Sequence, residues 1–168
     1  MTSVFAFRPG EPADALCIGA LATHVFLDTY ATEGIRPDLA REALSMYSPE
    51  AFAARLADPG LRFVLAESEG HLFAFAEIAL GGAEVEVVRL YVHPRFHRRG
   101  IGQALSLQAE RIAAAQGAAA VWLTAWSGNS RALAFYRALG YEDEGASTYA
   151  IEGRQYENRV LRKLLAKG

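Results

Sequence analysis

The chain has 168 residues, 52% of them hydrophobic and 21% charged, and a net charge of −2; that length suits one domain with an adequate core. The near-balance of charge excludes the basic surface with which proteins grip nucleic acid or anionic membrane. The lone Cys17 has no partner for an internal disulfide, no apolar run reaches bilayer length, and the opening MTSVFAFRPG lacks an export-signal pattern, so a cytoplasmic protein is expected.

Val4 to Arg8 reads as a first strand, ended by Pro9-Gly10. Asp14 to Tyr30 has no proline and carries Leu16, Ala20, Val25 and Leu27, so a helix is expected, with Cys17 as a small buried side chain. A second helix is expected over Asp38 to Tyr47. A third opens at Ser48-Pro49-Glu50, with serine at the cap and proline at the first helical position, and stops at Asp58-Pro59-Gly60. Arg62 to Ser68 and Leu72 to Leu80 are apolar runs of strand length, joined by a hairpin at Glu69-Gly70-His71, and Glu84 to Val92 completes a meander. Ile101 to Gln116 is a helix with Ile101, Leu105, Ala109 and Ile112 on one stripe, closed by Gly117. Ala120 to Thr124 reads as a short buried strand, Ser130 to Leu139 as a helix stopped by Gly140, and two last strands flank Glu152-Gly153. The strand–helix–strand step around Gly100 requires a crossover. The expectation is a single α/β (α+β) domain over residues 1–168: a mixed, mostly antiparallel sheet of about seven strands flanked by helices.

The segment from Arg89 to Leu105 is the most informative. A strand ends at Val92, Pro94 stops it, and Gly100 and Gly102 open an amphipathic helix beside Arg98 and Arg99. A helix start offers unpaired N–H groups and the positive end of the macrodipole, both suited to phosphate. By itself the pattern also fits an ordinary helix start with two solvated arginines. A dinucleotide fingerprint fails because Leu105 stands where a third glycine is needed, and the Gly-Lys-Ser/Thr of a Walker loop is absent.

The six residues His97-Arg98-Arg99-Gly100-Ile101-Gly102 resemble motif A of the GNAT superfamily of N-acetyltransferases, with histidine in the place of the family's leading Gln or Arg. Downstream, Asn129, Ala132, Phe135-Tyr136, Gly140 and Tyr141 resemble the family's motif B, although Ala132, Phe135, Tyr136 and Leu139 could equally be a core stripe. The resemblance implies that acetyl-coenzyme A is the cosubstrate. Its pyrophosphate would lie on the turn of Arg98, Arg99, Gly100, Ile101, Gly102 and Gln103, and its pantetheine arm along Leu90, Tyr91 and Val92 and near Asn129. It implies also that Tyr136 protonates the departing thiolate and that the backbone of Val92 supplies the oxyanion donor.

Glu84 and Glu86 share a strand face. Either both are solvent-facing charges or one serves as a base; Glu86 is placed like the catalytic glutamate of the family's histone-acetylating branch. The family's acceptor pocket corresponds here to Phe26, Tyr30 and Trp126, with Thr29, the Glu33-Gly34-Ile35 turn, Tyr149 and Tyr156 around them. Asp28-Thr29-Tyr30, Trp126 and the ending from Tyr149 to Leu164 resemble the polyamine-acetylating branch. The implied reaction is acetyl transfer to a primary amine of a small molecule. A peptide acceptor and a catalytically silent coenzyme-binding module are the alternatives, and the resemblance also allows a homodimer. His24, His71, His93 and His97 show no ligand spacing with one another or with Cys17, so no metal is expected.

Overall fold

The computed structural model describes residues 5–167. Val4, the first residue of the expected opening strand, lies outside them; β1 runs over Ala6–Pro9. A short 3-10 turn, Pro12–Asp14, leads into α1, Ala15–Tyr30, because the Asp14 carboxylate accepts from the Glu11 N–H at 2.8 Å and from Arg8. Helix α2 is Pro37–Met46 and α3 is Pro49–Leu56, where the Ser48 hydroxyl accepts from the Ala51 N–H at 3.1 Å as the expected cap.

Strands β2 (Leu61–Ser68), β3 (His71–Ala79) and β4 (Glu84–Val92) form the expected meander. Then come α4 (Ile101–Ala115), β5 (Ala120–Trp126), α5 (Ser130–Ala138), β6 (Glu142–Ile151) and β7 (Arg154–Leu164). Strand β5 is longer than its apolar run suggests, because it pairs with β7 out to Trp126 opposite Asn158. The seven strands form one sheet in the order β1-β2-β3-β4-β5-β7-β6, antiparallel except where β4 meets β5.

Both faces of the sheet are covered, so alternate residues of one strand enter different cores. On β2, Phe63 and Leu65 join Ile18, Phe26, Leu39, Phe52 and Phe75 beneath α1, α2 and α3. Val64 and Ala66 join Ala74, Ala76, Ile78, Leu105 and Ala109 beneath α4. The expected stripe of α1 is out of phase with the real one. Leu16 is 68% exposed and Cys17 is exposed, whereas Ala15, Ile18, Ala22 and Phe26 are buried. The physical reason is that this helix is apolar nearly all round, so its neighbours, rather than its own periodicity, choose the buried side.

Candidate active site

Strands β4 and β5 pair only from Glu84 to Glu86, opposite Ala120 to Trp122. Beyond that point β4 stays with β3 and β5 with β7, so the sheet parts and a cleft of about 990 Å³ opens between its halves. The N–H of His93 donates to the Phe73 carbonyl at 2.9 Å. Alternate residues of an antiparallel ladder point their N–H and C=O groups to opposite sides, so Leu90 and Val92 turn theirs away from β3, into the gap.

One end of the cleft is formed by the turn before α4. Gly100 adopts φ 78° and Arg98 φ 64°, both left-handed; a side chain at Gly100 would be strained. No hydrogen bond from the backbone N–H groups of Arg98 to Gln103 is made among the described residues, so they stand as a row of free donors. Gly102 leaves space of a different kind: a Cβ there would lie a tight 3.2 Å from the Phe135 ring on α5. Arg98, Gly100, Ile101, Gly102 and Gln103 line the cleft, as do Leu90, Tyr91 and Val92. Arg99 is not among the lining residues; its guanidinium carbon sits 5.1 Å from the Phe96 ring centroid. A diphosphate is thus matched by free backbone donors and one arginine of the pair.

Tyr136, on α5, lines the same cleft and is 8% exposed. Burial pushes its phenol well above the ordinary value, so it carries its proton at neutral pH. Asn129 also lines the cleft, but its Oδ1 caps α5 by accepting from the Ala132 N–H at 3.1 Å.

The rest of the lining is aromatic and acidic. Phe26, Tyr30 and Trp126 line the same cleft with Asp28, Tyr149 and Glu86. The Tyr30 ring lies 5.1 Å from Trp126 and 5.4 Å from Tyr156, centroid to centroid. Desolvation raises the Glu86 carboxyl above the usual range, against the pull of Arg89. Glu84, which shares its strand, instead pairs with Arg162, and that hydrogen bond holds its pKa down. The two glutamates thus separate into one structural and one cleft residue.

Two charged residues that the sequence reading passed over sit behind Glu86. Glu77, 2% exposed, pairs with Arg89 at 2.5 Å, and Arg55 lies 3.9 Å away on the other side. A bulge in β4 brings this about. Ile78 faces Val87 and Glu77 faces Arg89, leaving Val88 as the extra residue. Glu86 and Arg89, an odd number of positions apart, therefore fall on one sheet face. The signal in the sequence was Glu77 itself, a carboxylate inside an apolar strand that must find a cation. Among the described residues no cluster of three or more His, Cys, Asp or Glu could hold a metal, and no helix is long and apolar enough to cross a membrane.

Comparison with known proteins bears directly on this arrangement. The family described as "Acetyltransferase (GNAT) family" matches residues 29–141, which include the β4–α4 turn and all of α5. An uncharacterized N-acetyltransferase of Mycobacterium bovis is 33% identical over 108 residues, 64% of this chain and 69% of that one. A spermidine N(1)-acetyltransferase of Thermoplasma acidophilum is 31% identical over 98 residues, 57% of this chain and 60% of that one. Among solved structures, the PaiA N-acetyltransferase of Thermoplasma acidophilum in complex with coenzyme A shares the fold with a TM-score of 0.83. It covers 96% of this chain and 99% of its own at 22% identity. With a split sheet, a free-donor turn and a family match across most of its length, the chain belongs to the acetyltransferase (GNAT) family.

Proposed function

We propose that this acetyltransferase takes acetyl-coenzyme A as cosubstrate and transfers the acetyl group to a primary amine of a small cationic molecule, polyamines such as spermidine being the leading class. The observation that carries this reading is the continuity of one cleft. Free backbone donors from Arg98 to Gln103, the Tyr136 phenol, the Asp28 and Glu86 carboxylates and several aromatic rings all belong to its lining. Carboxylates and ring faces both attract an ammonium group.

In the mechanism, the N–H groups of Arg98 to Gln103 and the Arg98 side chain would hold the diphosphate. The open edge of β4 at Leu90 and Val92 would receive the pantetheine arm, with Asn129 and Tyr91 beside it. The acceptor is largely protonated at neutral pH, and Glu86, made more basic by burial, takes a proton from it. The amine nitrogen then attacks the thioester carbonyl, and the Val92 N–H receives the developing oxyanion. As the carbon–sulfur bond breaks, Tyr136 gives its proton to the sulfur, and the surplus proton on the acylated nitrogen passes to the phenolate, leaving a neutral amide and a neutral Tyr136, while Glu86 returns its proton to solvent. Desolvation raises the basicity of a departing thiolate as it raises the phenol, so the two stay matched. No metal takes part, and the reaction belongs to the cytoplasm.

The test is thiol release from acetyl-coenzyme A with polyamines, amino acids, aminoglycosides and peptides as acceptors. Turnover concentrated on polyamines is expected, and Tyr136→Phe should lower kcat by about 10²-fold or more with coenzyme binding nearly intact. Turnover of peptides alone would replace the small-molecule acceptor with a protein one. Coenzyme binding with no thiol release on any acceptor would leave the silent-module reading instead.

A further inference from the structure

Of the two arginines beside the phosphate turn, Arg99 is turned over Phe96, leaving Arg98 in the cleft. A third arginine lines the cleft: Arg131, in the first turn of α5, although neither the turn nor its flanking strand contributes it. What holds Arg131 there is His97. The His97 Nε2 lies 3.0 Å from the Val92 carbonyl oxygen, and a carbonyl can only accept, so Nε2 carries the hydrogen. In that tautomer Nδ1 is a lone pair, and it accepts a hydrogen bond from the Arg131 guanidinium. One neutral ring thus ties the last carbonyl of β4 to the first turn of α5, across the gap where the sheet has parted.

We infer that Arg131 is a ligand for a phosphate group of the coenzyme and that His97 is the residue that positions it. A guanidinium bound by one of its N–H groups to His97 keeps further donors for an anion. It is brought near the free backbone donors by a side chain within their own turn. His97 is also the position at which this chain departs from the GNAT motif, and a Gln there has an amide N–H to give to Val92 and an oxygen to accept from Arg131. The inference rests on the coenzyme reading above and adds to it a ligand and a positioning residue.

The experiment measures Kd by calorimetry for coenzyme A and for dephospho-coenzyme A, which lacks the 3′-phosphate, using wild type, Arg131→Gln, His97→Ala, His97→Gln and the double variant His97→Ala/Arg131→Gln. Arg131→Gln should weaken coenzyme A binding about tenfold, the scale of one charge-assisted hydrogen bond, and His97→Ala should weaken it by a similar factor. His97→Gln should remain near wild type. The double variant should be no weaker than Arg131→Gln alone, because the histidine acts through the arginine. Loss of both ligands in parallel assigns Arg131 to the diphosphate; loss of the preference for coenzyme A assigns it to the 3′-phosphate. Unchanged Kd in Arg131→Gln for both ligands, or strictly additive losses in the double variant, overturns the inference while leaving the coenzyme site standing. Failure of the wild type to bind coenzyme A overturns both readings. Melting temperatures without ligand separate these effects from misfolding, and a His97→Ala loss accompanied by a lowered melting temperature, with Arg131→Gln at wild-type affinity, would reduce His97 to a structural role and reject the proposal.

Discussion

Glu84 and Glu86 share a strand and a chemistry, yet the protein treats their charges in opposite ways. At Glu84 the Arg162 hydrogen bond stabilises the carboxylate. At Glu86 desolvation penalises it, with Arg89 offsetting only part. A carboxyl whose folded pKa is raised favours the fold at low pH. That contribution is lost as pH rises through the folded value, so at neutral pH Glu86 is a burden on stability. Glu86→Gln should therefore melt no lower than wild type at pH 7.5, and higher if the desolvation is large. At the same time kcat/KM should fall by about 10²-fold or more if the carboxylate is the base. The loss in the variant should shrink as pH falls toward the range where the wild-type carboxyl is itself protonated. Melting curves and pH–rate profiles of the two proteins check both halves. A variant that is less stable at neutral pH and fully active would show Glu86 to be a structural charge. Such opposition between stability and activity is expected where a site holds a group in an unfavourable medium.

The elements meet at distances that leave no room for a methyl group. Gly19, in the middle of α1, would place a Cβ 2.7 Å from the Tyr47 carbonyl oxygen and 3.4 Å from the Pro49 nitrogen, so α1 rests directly on the backbone joining α2 to α3. Those are backbone atoms and cannot swing aside. Gly19→Ala should cost about 1–3 kcal/mol, read as a fall of several degrees in Tm. The acceptor end of the cleft should loosen with it, because Phe26 and Tyr30 lie on the same helix; an unchanged Tm would mean that α1 can slide. This contact was not legible in the sequence, where Gly19 is one small residue in an apolar run. What was legible is whatever a local signal encodes: the Ser48 cap, the Glu69-Gly70 hairpin, and the Gly100 turn that opens α4. The succession of elements along the chain followed from those signals, and the mixed sheet from the crossover; the placing of β7 between β5 and β6 did not. The features that make the cleft work depend on register. The early end of β4–β5 pairing, the bulge at Val88 that sets Glu86 beside Arg89, and the stacking that turns Arg99 aside are decided by neighbours distant in the chain. Arg131 is such a case, an arginine at an unremarkable helix position that becomes a cleft residue only because His97 stands opposite.

Across the whole molecule, ion pairs link the strands of the divided sheet. Arg8 pairs with Glu67 on β2 and with Asp14, Glu84 on β4 pairs with Arg162 on β7, and Asp143 on β6 pairs with Arg159 on β7. The first and last of these secure the two ends of the sheet, and the middle one bridges β4 to β7 over β5, close to where the halves part. Hydrogen bonds from the arginines lower the pKa of Asp14 and of Glu84. Asp143 falls to about 2, through Arg159 first and then the Gly145 N–H, which donates at 2.9 Å. A carboxyl with a depressed folded pKa contributes stability above its ordinary value and loses it as pH falls through the folded one. For Asp143 the window runs from about 4 in the unfolded chain down to about 2 in the folded protein. Asp143→Asn should therefore lower Tm modestly at neutral pH, since the pair is solvent-exposed and screened. The gap from wild type should narrow as pH drops from about 4 toward 2, where about half of the folded wild-type carboxyls are protonated, and close below that. Added salt should narrow the gap at pH 7 in the same way. Thermal melts followed by circular dichroism at several pH values measure it directly. A gap that persists unchanged below pH 2 would mean that the side chain acts through its hydrogen bond to Gly145 at the β6 bulge and not through its charge, and that the ends of this sheet are secured by backbone geometry.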